Sequence, residues 1–228
     1  MIERPILFSG SMVRAILEGR KTQTRRVVKL PHTNSLGEWE PTMIGGEHGG
    51  RTAGGETVPL QGGLWHTRTG DCLMSPHGEP GDRLWVRETW STDFARHYPC
   101  DGVWYAADND RSNDIEVRDG VRGIFSPESN AHVPFRWRPS IHMPRALSRI
   151  TLEITGVRIE RLQEISESDA RAEGVTIEDH HMRGYCAGAY LPPSIRAFHD
   201  LWDSLNSPRG HGWGVNPWVW VVEFRRVA

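Results

Sequence analysis

SGSMVRAILEGRKTQTRR, residues 9–26, decides how the rest of the chain is read. The apolar run Ile6-Leu7-Phe8 leads into it. Ser9 or Ser11 suits a helix N-cap, because a short side-chain oxygen there accepts from an otherwise unsatisfied backbone N–H. Val13, Ile16 and Leu17 recur at helical spacing. Gly19 stands where a left-handed C-terminal cap belongs. Just past that stop come Lys21, Thr22, Thr24, Arg25 and Arg26. The pattern predicts a short helix that presents a lysine and a hydroxyl, three residues apart, beside two arginines.

Those residue types allow base-assisted nucleophilic chemistry. A threonine hydroxyl attacks only when a neighbour takes its proton. Lysine can be that neighbour only when neutral near pH 7, which requires lowering its pKa by about 3 units, or roughly 4 kcal/mol. Partial burial and the charges of Arg25 and Arg26 push that way. A carboxylate pushes the other way and orients the amine; Glu88 and Glu173 are the candidates. The alternative stays open that Lys21 is a solvated charge and Thr24 an ordinary strand residue.

Working outward, residues 83–90 (RLWVRETW) alternate. Leu84, Val86 and Glu88 share one face; Arg83, Trp85 and Arg87 share the other. If the Leu84 face is inward, Glu88 is buried and needs a cationic partner, for which Lys21 or Arg26 is considered. Residues 149–162 read as a strand with a bulge at Gly156. Ser166 and Asp169 have capping-box spacing before a short helix that ends at Gly174, which puts Glu173 in its last turn, against the helix dipole. Ser194 is expected to cap a helix whose stripe is Ile195, Phe198, Leu201, Trp202 and Leu205. Trp218, Trp220, Val222 and Phe224 then alternate along a final strand. Residues 31–79 and 91–140 read as long insertions, the first rich in glycine pairs, with a hairpin near 64–69. One α+β domain over residues 1–228 is expected.

Composition narrows the classes. The chain has 228 residues, a net charge of −2 and 37% hydrophobic residues, which fits a soluble globular protein. It shows neither a long apolar run nor a charged-then-apolar leader, so a cytoplasmic protein without a membrane span is expected. The 3 cysteines, Cys72, Cys100 and Cys186, have no paired spacing, which fits a reducing compartment. Cys72 with His77, or His180, His181 and Cys186, offer ligand types without a standard zinc spacing, so neither metal nor cofactor is expected. Basic residues gather at Arg14, Arg20, Lys21, Arg25, Arg26 and Lys29, and again at Arg136, Arg138, Arg145 and Arg149. Local anion or RNA recognition follows from such groups more readily than indiscriminate duplex binding. Oligomeric state is not legible.

The run Ile16-Leu17-Glu18-Gly19-Arg20-Lys21-Thr22-Gln23-Thr24-Arg25-Arg26 resembles the signature of the ASCH domain family, whose fold is a small PUA-like mixed β-barrel flanked by short helices. Gly81-Asp82 before an alternating strand, the helix with Ala170 and Glu173, and the final Val-Glu-Phe strand extend the likeness over residues 1–30, 80–90 and 145–228. The two insertions look like those of longer phage and prophage members. The resemblance implies the activity of the family's small bacterial amidohydrolases, which act on N4-acetylcytidine. It implies Lys21, Thr24 and Glu173 as catalytic residues and Arg26 as a substrate or oxyanion contact. Glu88, Arg87 and Trp85 complete the candidate substrate contacts. An RNA-binding or RNA-cleaving module without amidohydrolase activity is the alternative, and a reader of a modified DNA base, stacked on Trp85 or Trp90, is a third reading.

Overall fold

Alternating apolar residues over 218–225 make the strand on which half of the fold is laid. The computed structural model describes residues 1–46, 55, 57, 60–98, 100–108, 112–177 and 191–227. In chain order its elements are β1 (Glu3–Leu7), α1 (Gly10–Leu17), β2 (Gln23–Val27), β3 (Trp39–Ile44), β4 (Gln61–His66), β5 (Cys72–Met74), β6 (Arg83–Arg87), β7 (Trp90–Ser91), β8 (Trp104–Tyr105), β9 (Ile115–Arg118), β10 (Val121–Ser126), β11 (Ala131–Pro134), β12 (Thr151–Arg161), α2 (Glu167–Ala172), α3 (Pro193–Asn206) and β13 (Trp218–Arg226), with 3-10 turns between them. The class is α+β, mostly strands in several sheets. Among the described residues no sheet closes into the small barrel expected, because β3–β5 and β9–β11 pair locally among themselves. The described residues also contain no helix long and apolar enough to cross a membrane.

The chain divides into two compact units. The first comprises Met1–Ile2, Gly19–Arg83 and Glu153–Arg225. In it β13 lies between β12 and β2. β13 and β2 are antiparallel and in unbroken register, from Val219 opposite Val27 to Glu223 opposite Gln23. Period-two alternation therefore gives the sheet two distinct faces. Val219 and Val221 pack with Leu162, Ile165, Ala170, Phe198 and Trp202, under α2 and α3. Trp218 and Trp220 pack on the other face with Val28 and Leu64. Fully burying an apolar side chain of this size stabilises by about 1.5–3 kcal/mol.

Residues read as a loose glycine-rich insertion supply that second layer. β3, β4 and β5 form an antiparallel meander, with Trp39 opposite His66 and Leu64 opposite Leu73. Gly62 and Gly63 sit inside β4. A Cβ on Gly63 would run into the Ile44 side chain, whereas one on Gly62 would make ordinary contact with the β12 backbone at 3.5 Å. Gly63 permits the close approach of β3 and β4.

The helices follow their terminal residues. Ser166 and Asp169 form the expected capping box on α2, and Gly174 turns the chain with φ +80°. Ser194 does not cap α3. Pro192 is the N-cap and Pro193 opens the first turn, where its fixed φ suits the helix and its missing N–H is no loss. Ser194 is buried and its hydroxyl donates to Glu167 Oε2 at 3.3 Å. Along the α3 stripe Phe198 and Trp202 are buried, while Leu205, beyond them, is exposed.

The second unit comprises Glu3–Glu18, Leu84–Leu152 and Arg226–Ala228. β1 lies beside β6, and the Val86 N–H donates to the Ile150 carbonyl at 3.0 Å. Residues 91–140 are not a loop. β7 pairs with β8, and β9, β10 and β11 make an antiparallel meander. Phe94, Trp104, Ile124 and Phe135 form its core.

Candidate active site

Gly19, at φ +75°, ends the first helix and sends the chain toward β2. Lys21 then forms an isolated antiparallel bridge with Glu173, and the Thr22 N–H donates to the Ala172 carbonyl at 2.9 Å. The turn after one helix is thereby docked on the C-terminal end of another. Lys21 Nζ donates to the Glu173 carbonyl at 2.9 Å and to Glu173 Oε2 at 2.7 Å. The Lys21 side chain is 0% exposed and that of Glu173 4%. Two of the three residues implied as catalytic, 152 apart in sequence, are thus in direct contact.

Arg25 shares the same carboxylate. Its Nη1 donates to Glu173 Oε1 at 3.1 Å. Its Nε donates to Glu160 Oε1 at 3.0 Å, and its Nη2 lies 3.3 Å from Asp169 Oδ2. Arg158 holds the outer oxygens of the same group, on Glu160 Oε2 at 3.1 Å and Asp169 Oδ1 at 3.0 Å, and also pairs with Glu223. Gln23 Nε2 donates to the Asp169 carbonyl at 3.0 Å. The guanidinium of Arg25 stands 5.7 Å from the Phe198 ring centroid. A carboxylate at a helix C-terminus faces the negative end of the dipole; at Glu173 two cations offset that.

Strand alternation sorts the motif residues. Gln23, Arg25 and Val27 face α2 and α3. Thr24 and Arg26 face the other way, opposite Val222 and Trp220 on β13. Thr24 is 3% exposed. Lys21 precedes the strand, and its side chain is held by Glu173, the carboxylate it shares with Arg25.

The electrostatics follow from burial. Desolvation pushes the Lys21 pKa below its ordinary value; Glu173 opposes this, and the charges of Arg26 and Arg25 reinforce it. Burial likewise lowers Arg26, against the pull of Glu173 and with the repulsion of Arg209. Arginine keeps its proton in any case.

Glu88, Arg87 and Trp85 occupy the second unit. Leu84, Val86 and Glu88 do point inward, at 0%, 1% and 1% exposure. The partner of Glu88 is Arg149, which sequence reading did not consider: Nε to Oε1 is 2.9 Å and Nη2 to Oε2 is 3.0 Å. Arg149 also pairs with Asp108 and lies 4.0 Å from the Tyr105 ring centroid. Trp85 is buried and has the Arg87 guanidinium 4.6 Å from its ring centroid; Trp90 carries Arg138 at 5.0 Å. These ring faces are already occupied.

Sequence reasoning missed Glu160, Asp169 and Arg158, and treated Arg25 only as a neighbouring charge. The available signal was period two: Arg158 and Glu160 share a face of β12 as Gln23 and Arg25 share one of β2. Among the described residues no group of three His, Cys, Asp or Glu side chains is arranged to hold a metal. Cys72 and Cys100 are free and exposed; His180, His181 and Cys186 lie outside the described residues. No protein-family model, curated protein or solved structure matches the chain.

Proposed function

We propose that this chain is an amidohydrolase that removes the acyl group from the exocyclic N4 of an N4-acylated cytosine nucleoside, on an ASCH-type, PUA-like framework. The observation that carries the reading is the buried contact between Lys21 Nζ and Glu173 Oε2 at 2.7 Å. In the proposed sequence neutral Lys21 takes the Thr24 hydroxyl proton as Oγ1 attacks the acyl carbonyl carbon. The resulting ammonium, held by Glu173, passes that proton to the N4 nitrogen as the C–N bond breaks, leaving an acyl ester on Thr24. Water, deprotonated by the same amine, then hydrolyses the ester and returns the hydroxyl. Arg26, on the same strand face as Thr24, supplies positive charge to the oxyanion. Only lysine fits this role, since a guanidinium does not give up its proton.

RNA binding has weaker support. Within the first basic group Lys21 and Arg25 are buried in ion pairs, and Arg14 donates to the Ala107 carbonyl at 2.9 Å. In the second, Arg138, Arg145 and Arg149 pair with Asp93, Glu3, and Glu88 with Asp108. Lys21, Arg25, Arg138, Arg145 and Arg149 are thus committed to carboxylates rather than to phosphates. The test is cytidine release from N4-acetylcytidine by the native protein, Thr24→Ala and Lys21→Ala. Turnover by the native protein, reduced on the order of 10²–10⁴-fold in each folded variant, is expected. Absence of native turnover across several acyl groups, together with salt-dependent RNA affinity, overturns the reading in favour of the binding module.

A further inference from the structure

The chain contains 25 arginines and 2 lysines, Lys21 and Lys29. Lys29 is exposed, whereas Lys21 is 2% exposed. In a sequence that otherwise takes arginine for nearly every cation, the buried lysine is an exception that a simple ion pair does not require. Arginine makes the stronger, bidentate pair with a carboxylate and tolerates burial better. What lysine adds is a proton it can release.

A buried Lys–Glu pair alone does not make that release easy, because losing the proton strands a carboxylate without its counter-ion. The neighbours of Glu173 remove the obstacle. Its Oε2 accepts from Lys21, while its Oε1 accepts from Arg25. The two oxygens are thus divided between a cation that can lose its charge and one that cannot. We propose that Arg25 is the permanent counter-ion of Glu173, a positioning residue that keeps a cation on the carboxylate while Lys21 gives up and takes back its proton.

The surroundings are consistent on every side. Facing Lys21 are Glu173 from the end of α2 and the charges of Arg25 and Arg26 from β2. Arg25 faces Glu160 on β12, Asp169 and Glu173 on and after α2, and Phe198 on α3. Arg158 takes the far oxygens of Glu160 and Asp169 and also pairs with Glu223, while Arg25 keeps its Nη1 on Glu173. With Lys21 neutral, Glu173 still holds one direct cation. With Lys21 charged, burial disfavours that state, Glu173 favours it, and the charges of Arg26 and Arg25 disfavour it.

The inference leans on the hydrolase reading only for what the proton is used for; the protonation state itself is measured without substrate. The two lysines make that measurement direct: in protein labelled with 15N at lysine Nζ, one resonance belongs to exposed Lys29 and the other to Lys21. The Lys21 resonance is expected to pass to the neutral form below the ordinary lysine range, because its amine is buried. In Arg25→Gln, Glu173 must rely on Lys21, and the Lys21 midpoint is expected to rise by at least a factor of ten in proton affinity. Arg25→Gln combined with Glu160→Gln keeps the local charge balanced, protects the fold and is expected to show the same rise. A native Lys21 that titrates together with Lys29 overturns the proposal, as does an unmoved Lys21 midpoint in the folded double variant. An inactive native protein with a neutral Lys21 removes the hydrolase reading and leaves this one standing; an active protein with a charged Lys21 does the reverse.

Discussion

Each unit buries a glutamate, and the two are held in opposite ways. Glu88 is gripped by Arg149 through both oxygens, and Arg149 is in turn fixed by Asp108 and stacked on Tyr105. Glu173 is divided between Lys21 and Arg25. Burial raises the Glu88 pKa against the pull of Arg149. Burial also opposes the Arg149 charge, yet Glu88 and Asp108 outweigh it and raise its affinity for its proton. That pair, held through both oxygens and backed by Asp108, is a fixed internal tie. At Glu173 the cation that burial weakens is a lysine, the residue proposed above to give up and take back a proton.

The comparison can be broken first at Arg149. Arg149→Ala leaves Glu88 buried without its bidentate partner and is expected to cost about 3–5 kcal/mol in chemical denaturation, with Glu88→Met/Arg149→Met recovering most of it. A loss below about 1 kcal/mol in the single variant would show that Glu88 is not a tie.

The two clusters also differ in where they respond to pH. The folded Lys21 pKa lies below its unfolded value, so between the two the unfolded chain binds more protons and stability rises with pH. Native protein is therefore expected to gain on Lys21→Met as pH climbs toward 10.5, the unfolded lysine value, at no more than about 1.4 kcal/mol per pH unit. Glu88 has a raised folded pKa, so its contribution is complete below the unfolded value of 4.5 and is lost as pH rises through the folded one. Native protein is expected to lose ground to Glu88→Gln over that acidic window. Stability differences that are flat with pH for both variants would erase the contrast.

A smaller effect sharpens it. Ser166→Ala removes the hydroxyl that accepts from the Asp169 N–H at 3.1 Å and is expected to cost about 1 kcal/mol. Because α2 carries Asp169 and delivers Glu173, the loss should loosen the Lys21 pair, seen as a Lys21 midpoint closer to that of Lys29, while leaving Glu88 untouched.

Much of this was legible locally. Gly19, the Ser166–Asp169 box and the final strand are short-range patterns that formed as read, while the alternating run from Arg83 forms a strand only to Arg87, with Trp85 buried as well. Lys21 and Glu173 stood out individually, and their contact follows from docking the turn at Lys21-Thr22 on the end of α2. What was not legible depended on distant partners. Nothing near Glu88 in sequence points to Arg149, 61 residues away. The β3–β5 meander was hidden by Gly62 and Gly63, which carry no apolar side chain to show a period although their strand is buried.

The most direct test of the central claim is cytidine release from N4-acetylcytidine by native protein and by Lys21→Arg, assayed side by side with Arg149→Lys as the control in the other cluster. The account predicts native turnover, a fall on the order of 10²–10⁴-fold in Lys21→Arg despite the retained charge, and turnover in folded Arg149→Lys close to native. Equal turnover in Lys21→Arg and native protein would contradict it, because a guanidinium that cannot release its proton would then serve as well as the lysine.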